Sequence, residues 1–339
     1  MKKIVMGIAA VAMAASMFAA DVSGRVKMDT KVFDTKPATV NNSPNLSSHT
    51  VLSRPASKGW DEDNTFLKFA ASTENSGAEL WLQGATADFA QYSIWFKPVD
   101  AVKITIGDIF VNDGVRGTFA WWDYSVRYYH KNAILVNANV GPVALEVACA
   151  DLIEWDKKGY GMVGDFWLGA TFGLGDAGSL KVVATKGGNL RCYGLNGWDA
   201  VNAGNLTAGI AYDNMPWQTT GYNASAFVKF NGDWNFERVF GQVNGQLILD
   251  AVNLRLVNIY AYDTKFTYGF VARAELKTID NFTPFVELYG QEIMKKNLTA
   301  SLGFDTAVGG CAITTHIDVG MTFGGSTTVC LPVEFTFNL

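Results

Sequence analysis

The sequence is poor in charge, histidine and cysteine, and each shortage argues against a class of protein. Charged residues make up 17% of the 339-residue chain, below the quarter that is usual for soluble domains. The 4 cysteines show no CxxC spacing, so zinc and thioredoxin-like sites are poorly supported. No HExxH, GxSxG or Walker A motif is present. The sequence therefore predicts neither a metal nor another cofactor.

Residues 1–20 are predicted to be a secretory signal peptide. Two lysines precede an apolar stretch, Ile4–Ala15, and small residues follow up to Ala20. The apolar stretch is short for a membrane span, which favours cleavage near Ala20–Asp21 over an N-terminal anchor. Residues 21–339 would then form one exported domain.

The expected mature chain is acidic and lies outside the cytoplasm. Without the two lysines of the leader, 25 of the 27 basic residues remain against 32 acidic residues, a net charge of −7. This balance argues against a nucleic-acid partner. An oxidising compartment allows one or two disulfides, but the sequence leaves their pairing open among Cys149, Cys192, Cys311 and Cys330.

Long hydrophobic runs are also missing after the leader, although the chain is rich in apolar residues. Hydrophobic residues make up 49% and aromatic residues 13% of the sequence, yet no run is long enough for a membrane helix. The hydrophobicity lies in alternation instead, which is typical of a transmembrane β-barrel. A large soluble β-sandwich or solenoid is the alternative.

The last thirteen residues, Thr327–Leu339, show this alternation most clearly. Every second residue from Val329 to Leu339 is apolar, and the residues between them are mostly polar. The same two-faced pattern recurs from Val22 onward in segments of about ten residues. These segments predict an all-β fold, a closed antiparallel transmembrane barrel of about 16–18 strands. The last strand would close it against Val22–Val32, with Pro332 at a bulge or near an interface.

The lengths of the predicted connections support a barrel. Long connections are expected at 34–60, 108–124, 150–161 and 187–204. Short turns are expected at 73–76, 98–100, 141–142 and 173–178, so that short turns lie at one end and most long loops at the other. The short connections at 86–89 and 263–265 depart from this rule. An even number of strands places both termini on the periplasmic side.

A resemblance to a known family enters at this point. Phe335, Phe337 and Leu339 are similar to the C-terminal assembly signal of bacterial outer-membrane barrels, except that phenylalanine most often ends that signal. With the hairpin from Trp95 to Asp108 and the leader, the whole mature chain resembles porin-type proteins, and in particular the spirochaete (treponemal) porin-like kind. The resemblance implies the outer membrane of a diderm bacterium and passive diffusion of small hydrophilic solutes or ions. It also implies contact with lipid and the barrel-assembly machinery, as a monomer or a homotrimer.

The connection 108–124 is the candidate functional segment. In general porins the third outward loop folds into the lumen, and the resemblance implies the same here. Carboxylates of this segment could face basic groups across water and order polar solutes. The alternative is an ordinary surface loop, with Trp121 and Trp122 in an interfacial belt. The candidate constriction residues are Asp108, Asp113, Arg116, Asp123, Lys97, Lys103 and Arg127.

Other charges are expected to face a hydrated lumen, because an outward Arg or Lys would cost about 2–4 kcal/mol at the bilayer midplane. They are Arg25, Lys27, Lys31, Glu79, Glu146, Asp165, Lys229, Arg255, Arg273, Glu275 and Glu287. Only His49, His130 and His316 could serve as imidazole bases, and a structural or lumenal role is favoured for each. The chain is therefore expected not to be an enzyme, although a barrel hydrolase and an adhesin or surface antigen remain alternatives.

Overall fold

A computed structural model gives the fold of most of the chain. The residues it describes are 19–34, 49–52, 66–83, 88–115, 124–150, 165–187, 189–192, 199–200, 206–215, 219–277, 281–290, 297–325 and 327–338. Residues 1–18 lie outside this set, so the signal peptide stays a prediction. No helix among the described residues is long and apolar enough to cross a membrane.

The described residues form twenty-one strands. They are β1 Ala19–Asp34, β2 His49–Leu52, β3 Phe66–Ser72, β4 Ser76–Gln83, β5 Asp88–Val99, β6 Val102–Asn112, β7 Tyr124–Val140, β8 Val143–Cys149, β9 Phe166–Gly173, β10 Ser179–Lys186, β11 Asn189–Cys192, β12 Asp199–Ala200, β13 Leu206–Asn214, β14 Gly221–Phe230, β15 Phe236–Ile248, β16 Val252–Tyr262, β17 Phe266–Leu276, β18 Phe282–Gly290, β19 Asn297–Val308, β20 Cys311–Thr322 and β21 Thr327–Asn338.

Eighteen of these strands close an antiparallel barrel, as the alternation predicts. Each wall strand pairs with the next along the chain, with β3 following β1 and β13 following β10. The last strand, β21, pairs with β1 and closes the ring. The short strands β2, β11 and β12 add to the edges of β1, β7 and β11.

The seam between β1 and β21 joins the two strands that the sequence predicts as partners, and it has the predicted irregularity. Phe335 lies opposite Met28, and Pro332 lies opposite Lys31, where the register shifts by one residue before Phe33. Proline has no backbone N–H to give to a ladder, so a bulge is the position at which it costs least. The Pro332 carbonyl accepts a hydrogen bond from the Thr315 hydroxyl at 3.1 Å.

The barrel is apolar outside and charged inside. Leu302, Val286 and Ile317 point outward and are 63%, 53% and 49% exposed, which in water would be unfavourable. On the other face of the same strands, the Glu287 carboxylate lies 3.8 Å from the Arg273 guanidinium, and the Asp318 carboxylate lies 3.3 Å from His316 Nε2. This reversal of the usual arrangement confirms a transmembrane barrel rather than a soluble sandwich.

The turns at one end of the barrel are uniformly short. They connect the strand pairs β3–β4, β5–β6, β7–β8, β9–β10, β13–β14, β15–β16, β17–β18 and β19–β20, and the longest of them is 215–220. At the opposite end, long connections follow β1, β6, β8 and β10, whereas 84–87 and 263–265 are short, as the sequence predicts.

The turn at 263–265 has a simple electrostatic basis. The Asp263 carboxylate accepts a hydrogen bond from the backbone N–H of Lys265 at 2.9 Å and another from Thr264. These two bonds hold the pKa of Asp263 below its ordinary value, because they stabilise the ionised form. A three-residue connection is thereby sufficient between β16 and β17.

Three predicted loops contain strand that the sequence pattern does not indicate. His49–Leu52 pairs with β1 inside the expected loop 34–60, and Asn189–Cys192 pairs with β7 inside the expected loop 187–204. In the segment 108–124, β6 continues to Asn112. The prediction of loop was wrong in these places because a four-residue strand on the edge of a longer one needs no alternation of its own.

Candidate functional site

The sixth strand bends at Gly107, and the candidate site begins there. Gly107 has a φ of +124°, and a Cβ atom at this position would lie 2.4 Å from the Tyr92 carbonyl oxygen. The register with β7 shifts directly afterwards, between Gly107 and Ile109. Only glycine accommodates both the positive φ and the close approach to β5. The chain can therefore leave the path of the barrel wall at this residue.

Asp108 stabilises the point of departure. Its carboxylate accepts a hydrogen bond from the backbone N–H of Tyr92 at 3.3 Å, and the residue is 3% exposed. A side-chain oxygen thus binds a β5 donor at the place where the ladder with β6 ends. A buried N–H without such a partner would cost about 1–3 kcal/mol.

Beyond the bend, β6 and the first part of β7 form a hairpin that reaches across the barrel interior. We call residues 109–115 and 124–130 the inner hairpin. The free edge of its β7 strand pairs with β11, whereas β8 pairs with β7 only from Ile134 onward. The hairpin also approaches β15, which lies six wall strands away from β7 in one direction round the barrel.

One face of the inner hairpin packs against the wall. Its side chains Ile109, Val111, Val126 and Tyr128 are at most 7% exposed. They join wall residues in one continuous hydrophobic cluster. The wall members with the largest side chains are Leu135, Trp167, Val183, Phe227, Phe240, Val257, Ile259 and Val271. A barrel of eighteen strands would otherwise leave a wide aqueous channel, so the hairpin fills part of it.

Lys181 of β10 anchors the hairpin through two short contacts. Its ammonium donates to the Asn112 carbonyl at 2.7 Å and lies 2.7 Å from a Glu146 carboxylate oxygen. The Trp167 indole N–H donates to the same carboxylate at 3.0 Å. The Lys181 side chain is 10% exposed, so these contacts are largely shielded from water.

A second anchor lies at mid-height on β15. The Gln242 side-chain amide donates to the Val115 carbonyl at 3.5 Å. Behind it, Asn244 donates to both Gln242 and Asn223, and Asn223 donates to Asp213. The three amides are at most 1% exposed. This buried polar network fixes the inner hairpin at Val115 against β15.

The structure places the predicted constriction residues in two groups. Asp113 lies in the hairpin tip and is 1% exposed; its carboxylate accepts hydrogen bonds from the backbone N–H groups of Val115 and Val126 at 3.1 and 3.0 Å. Arg127 lies on the other face of the hairpin, over the Phe110 ring at 5.6 Å. That face is only half-buried.

The second group lies at the end of the barrel with short turns. Lys103 and Lys97 lie over the Trp95 ring, with 4.8 and 5.9 Å from ammonium to ring centre. Arg116 and Asp123 lie outside the described residues, as do Trp121 and Trp122. The constriction assignment for the whole set therefore stays a prediction.

The sequence predicts inward charges on β16 to β18 but does not indicate how they pair. Arg273 is the centre of the network they form. Its guanidinium lies 2.9 Å from Glu275, 3.8 Å from Glu287 and against Asp305 of β19. It also stacks over the Phe285 ring at 3.6 Å. The register of neighbouring strands brings these groups together, and single-strand patterns carry no such information.

Further inward charges continue round the wall towards β4. On β20, His316 Nε2 lies 3.3 Å from Asp318, to which the Ser301 hydroxyl also donates. On β3 and β4, the Lys68 ammonium lies 2.7 Å from Glu79 and 4.8 Å from the centre of the Trp81 ring. The inner wall is therefore lined with charges of both signs.

The described residues give little support for other site types. They contain no group of three or more His, Cys, Asp and Glu side chains placed to hold a metal ion. Cys149, Cys311 and Cys330 form no disulfide with one another.

Comparison with known proteins gives structural but not sequence matches. No family model matches the chain, and no curated protein matches it. Among solved structures, Pseudomonas aeruginosa OpdQ has a TM-score of 0.56 at 8% identity, over 95% of this chain and 98% of that chain.

Two further structures show the same similarity. Acinetobacter baumannii OccAB4 has a TM-score of 0.53 at 6% identity, over 94% of this chain and 97% of that chain. The outer membrane protein OpdK of Pseudomonas aeruginosa has a TM-score of 0.50 at 8% identity, over 94% of this chain and 99% of that chain. At these identities the match establishes the fold alone. The chain therefore has the closed barrel fold found in these outer-membrane proteins.

Proposed function

We propose that the protein is an outer-membrane channel for passive diffusion of small hydrophilic solutes or ions. The observation that carries this proposal is the closed eighteen-strand barrel with an apolar exterior and a charged interior. Barrels of sixteen to eighteen strands enclose an aqueous path, whereas smaller barrels are filled by their own side chains. The predicted export signal in residues 1–20 and the structural neighbours support the same location.

The finer features of this proposal come from the sequence. Phe335 and Phe337 lie on the outward face at the end of β21, where an assembly machinery could contact them, and Leu339 completes the proposed signal. A homotrimer and a kinship with spirochaete porin-like proteins belong to the same proposal. The lipid of the outer membrane is the expected surrounding of the apolar exterior.

The inner hairpin is the proposed constriction. One of its faces packs on the wall, and Arg127 and Phe110 lie on the other face. The hairpin therefore occupies part of the cross-section of the barrel and narrows the path. Asp113 then holds the backbone of the tip, and Arg116 and Asp123 follow in the connection to β7. A fixed tip of this kind sets the size of the solute that can pass.

Planar-bilayer recording tests the proposal directly. Purified protein should give discrete ohmic conductance steps, and a salt gradient should give a reversal potential that reports its charge preference. Absence of conductance across repeated insertions of folded protein would contradict the channel function.

Neither alternative function gains support from a described contact. His130 Nε2 lies 3.0 Å from Asp165, and His316 Nε2 lies 3.3 Å from Asp318, so each imidazole has a carboxylate partner in the barrel interior. The Ser301 hydroxyl donates to Asp318 rather than to His316, so the three groups do not have the Ser–His contact of a catalytic triad. We therefore propose a structural role for both histidines. The adhesin hypothesis depends on long connections that lie largely outside the described residues.

A further inference from the structure

We propose that solutes cross the barrel along one side only, past the seam of β1 and β21. This inference rests on the proposed channel function and specifies its path. We call the inner wall of β19–β21, β1, β3 and β4 the seam side, and the inner wall of β8–β10 and β13–β16 the packed side. The inner hairpin separates the two.

Burial distinguishes the packed side. Most of its inward side chains are buried, whether they are apolar or polar. The charged side chains Glu146, Arg238 and Arg255 are the more exposed ones, at 22%, 24% and 23%. Trp167, Val183, Thr185, Phe240 and Gln242 are each 0% exposed. A side chain that lined a water-filled path would keep contact with solvent. The packed side is therefore a core at the depth of the hairpin, and solute cannot pass there without undocking it.

The seam side retains access to water. The side chains of Asp305, Lys68, Glu79 and Asp318 are 38%, 28%, 27% and 19% exposed. They face the interior, because the alternate residues of the same strands, such as Leu302 and Ile317, face outward. Charged groups with this exposure are hydrated at little cost, so the space before them can hold water and polar solutes.

The two faces of the inner hairpin match the two sides of the barrel. The face with Ile109, Val111, Val126 and Tyr128 is buried against the packed side. Burial of its apolar area stabilises the hairpin in this docked position. The opposite face, with Phe110 and Arg127, is half-buried and forms the remaining wall of the path. The hairpin therefore divides the barrel interior in two, and the β1–β21 seam belongs to the part of the wall that a passing solute contacts.

The chemistry of the seam side indicates the class of solute. It carries the carboxylates of Asp305, Asp318, Glu334 and Glu79, and the ammonium group of Lys68, which pairs with Glu79. A path lined by groups of both signs suits small solutes that carry hydrogen-bonding groups or two opposite charges. A large apolar solute would have to displace the water that hydrates these groups.

Paired cysteine substitutions test the path. Thr314→Cys places a thiol on β20 of the seam side, and Ala211→Cys places one on β13 of the packed side, three residues from the short-turn end of each strand. A positively charged methanethiosulfonate reagent should lower the conductance of single Thr314→Cys channels stepwise. The same reagent should change the conductance of Ala211→Cys channels no more than it changes that of the parent protein. Treatment of the parent protein controls for reaction at the native cysteines.

Labelling of the folded barrel in detergent provides a readout that needs no conductance. Mass spectrometry should show Thr314→Cys reacting at least about tenfold faster than Ala211→Cys, because a buried thiol reacts only through local opening. Equal rates, faster reaction at Ala211→Cys, or block of Ala211→Cys channels would overturn the proposed path. Conductance absent from the parent as well would refute the channel function, while the labelling rates would still decide which side is open.

Discussion

Replacement of Lys181 by methionine tests the anchoring of the inner hairpin most directly. The substitution keeps an apolar stem of similar length but removes the ammonium that binds the Asn112 carbonyl and the Glu146 carboxylate, both at 2.7 Å. Loss of one partner of a buried ion pair costs about 3–5 kcal/mol. Because the Glu146 side chain is 22% exposed and keeps the Trp167 indole, we expect about 2–3 kcal/mol.

This loss should appear as local opening of the hairpin while the barrel stays intact. Hydrogen exchange of peptides covering 109–115 and 124–130 should accelerate about 30- to 140-fold, since about 1.4 kcal/mol corresponds to a factor of ten. Single-channel records should show added fluctuations of the open current. Unchanged exchange in both peptides would refute the reasoning.

A double variant separates the ion pair from a general disturbance. Glu146→Gln added to Lys181→Met removes the uncompensated carboxylate and leaves the amide able to bind Trp167. The exchange rates should then return part of the way to those of the parent. Rates that rise further in the double variant would mean that the two groups do not act as a pair.

The remaining predictions concern the wall. Gly107→Ala should destabilise the bend by at least about 1–3 kcal/mol through its positive φ, seen as faster proteolysis in the hairpin; unchanged cleavage would contradict a fixed bend. Arg273→Met should lower the free energy of unfolding in vesicles by about 3–5 kcal/mol because it leaves buried carboxylates uncompensated. Arg255→Met should cost less, because the Arg255 guanidinium is 3.3 Å from Glu275 and its side chain is 23% exposed; equal losses would argue against a central role for Arg273. Ile317→Arg faces lipid and should cost about 2–4 kcal/mol, whereas the adjacent His316→Arg faces Asp318 and should be tolerated. The reverse order in urea titrations would invert the facing assignment.

The barrel can be predicted from the sequence because the features that indicate it lie within single strands and turns. A period of two residues assigns the faces of each strand, and the apolar face of Thr327–Leu339 favours pairing of this strand within the barrel wall. Even the irregularity at Pro332 follows from a missing N–H. The strand number follows because the turns at one end are short and regular.

The inner hairpin is not predictable in the same way. The pattern breaks after Gly107, which indicates a departure from the wall but not its direction. The direction depends on contacts between distant residues, such as Val115 with Gln242 and Asn112 with Lys181. The alternation places Arg273 and Glu287 on the inner face, yet their pairing needs the register between strands.

The outward connections differ in length from one part of the barrel to another. Those that follow β6, β8 and β10 are long, whereas those that follow β4, β14, β16, β18 and β20 are short. The segment 151–164 joins β8 to β9, two strands of the packed side, and so begins and ends away from the charged groups of the proposed path. In the proposed channel, antibody pressure on this segment would select new sequences without changing the groups that a solute contacts. Surface recognition and passage would then evolve independently.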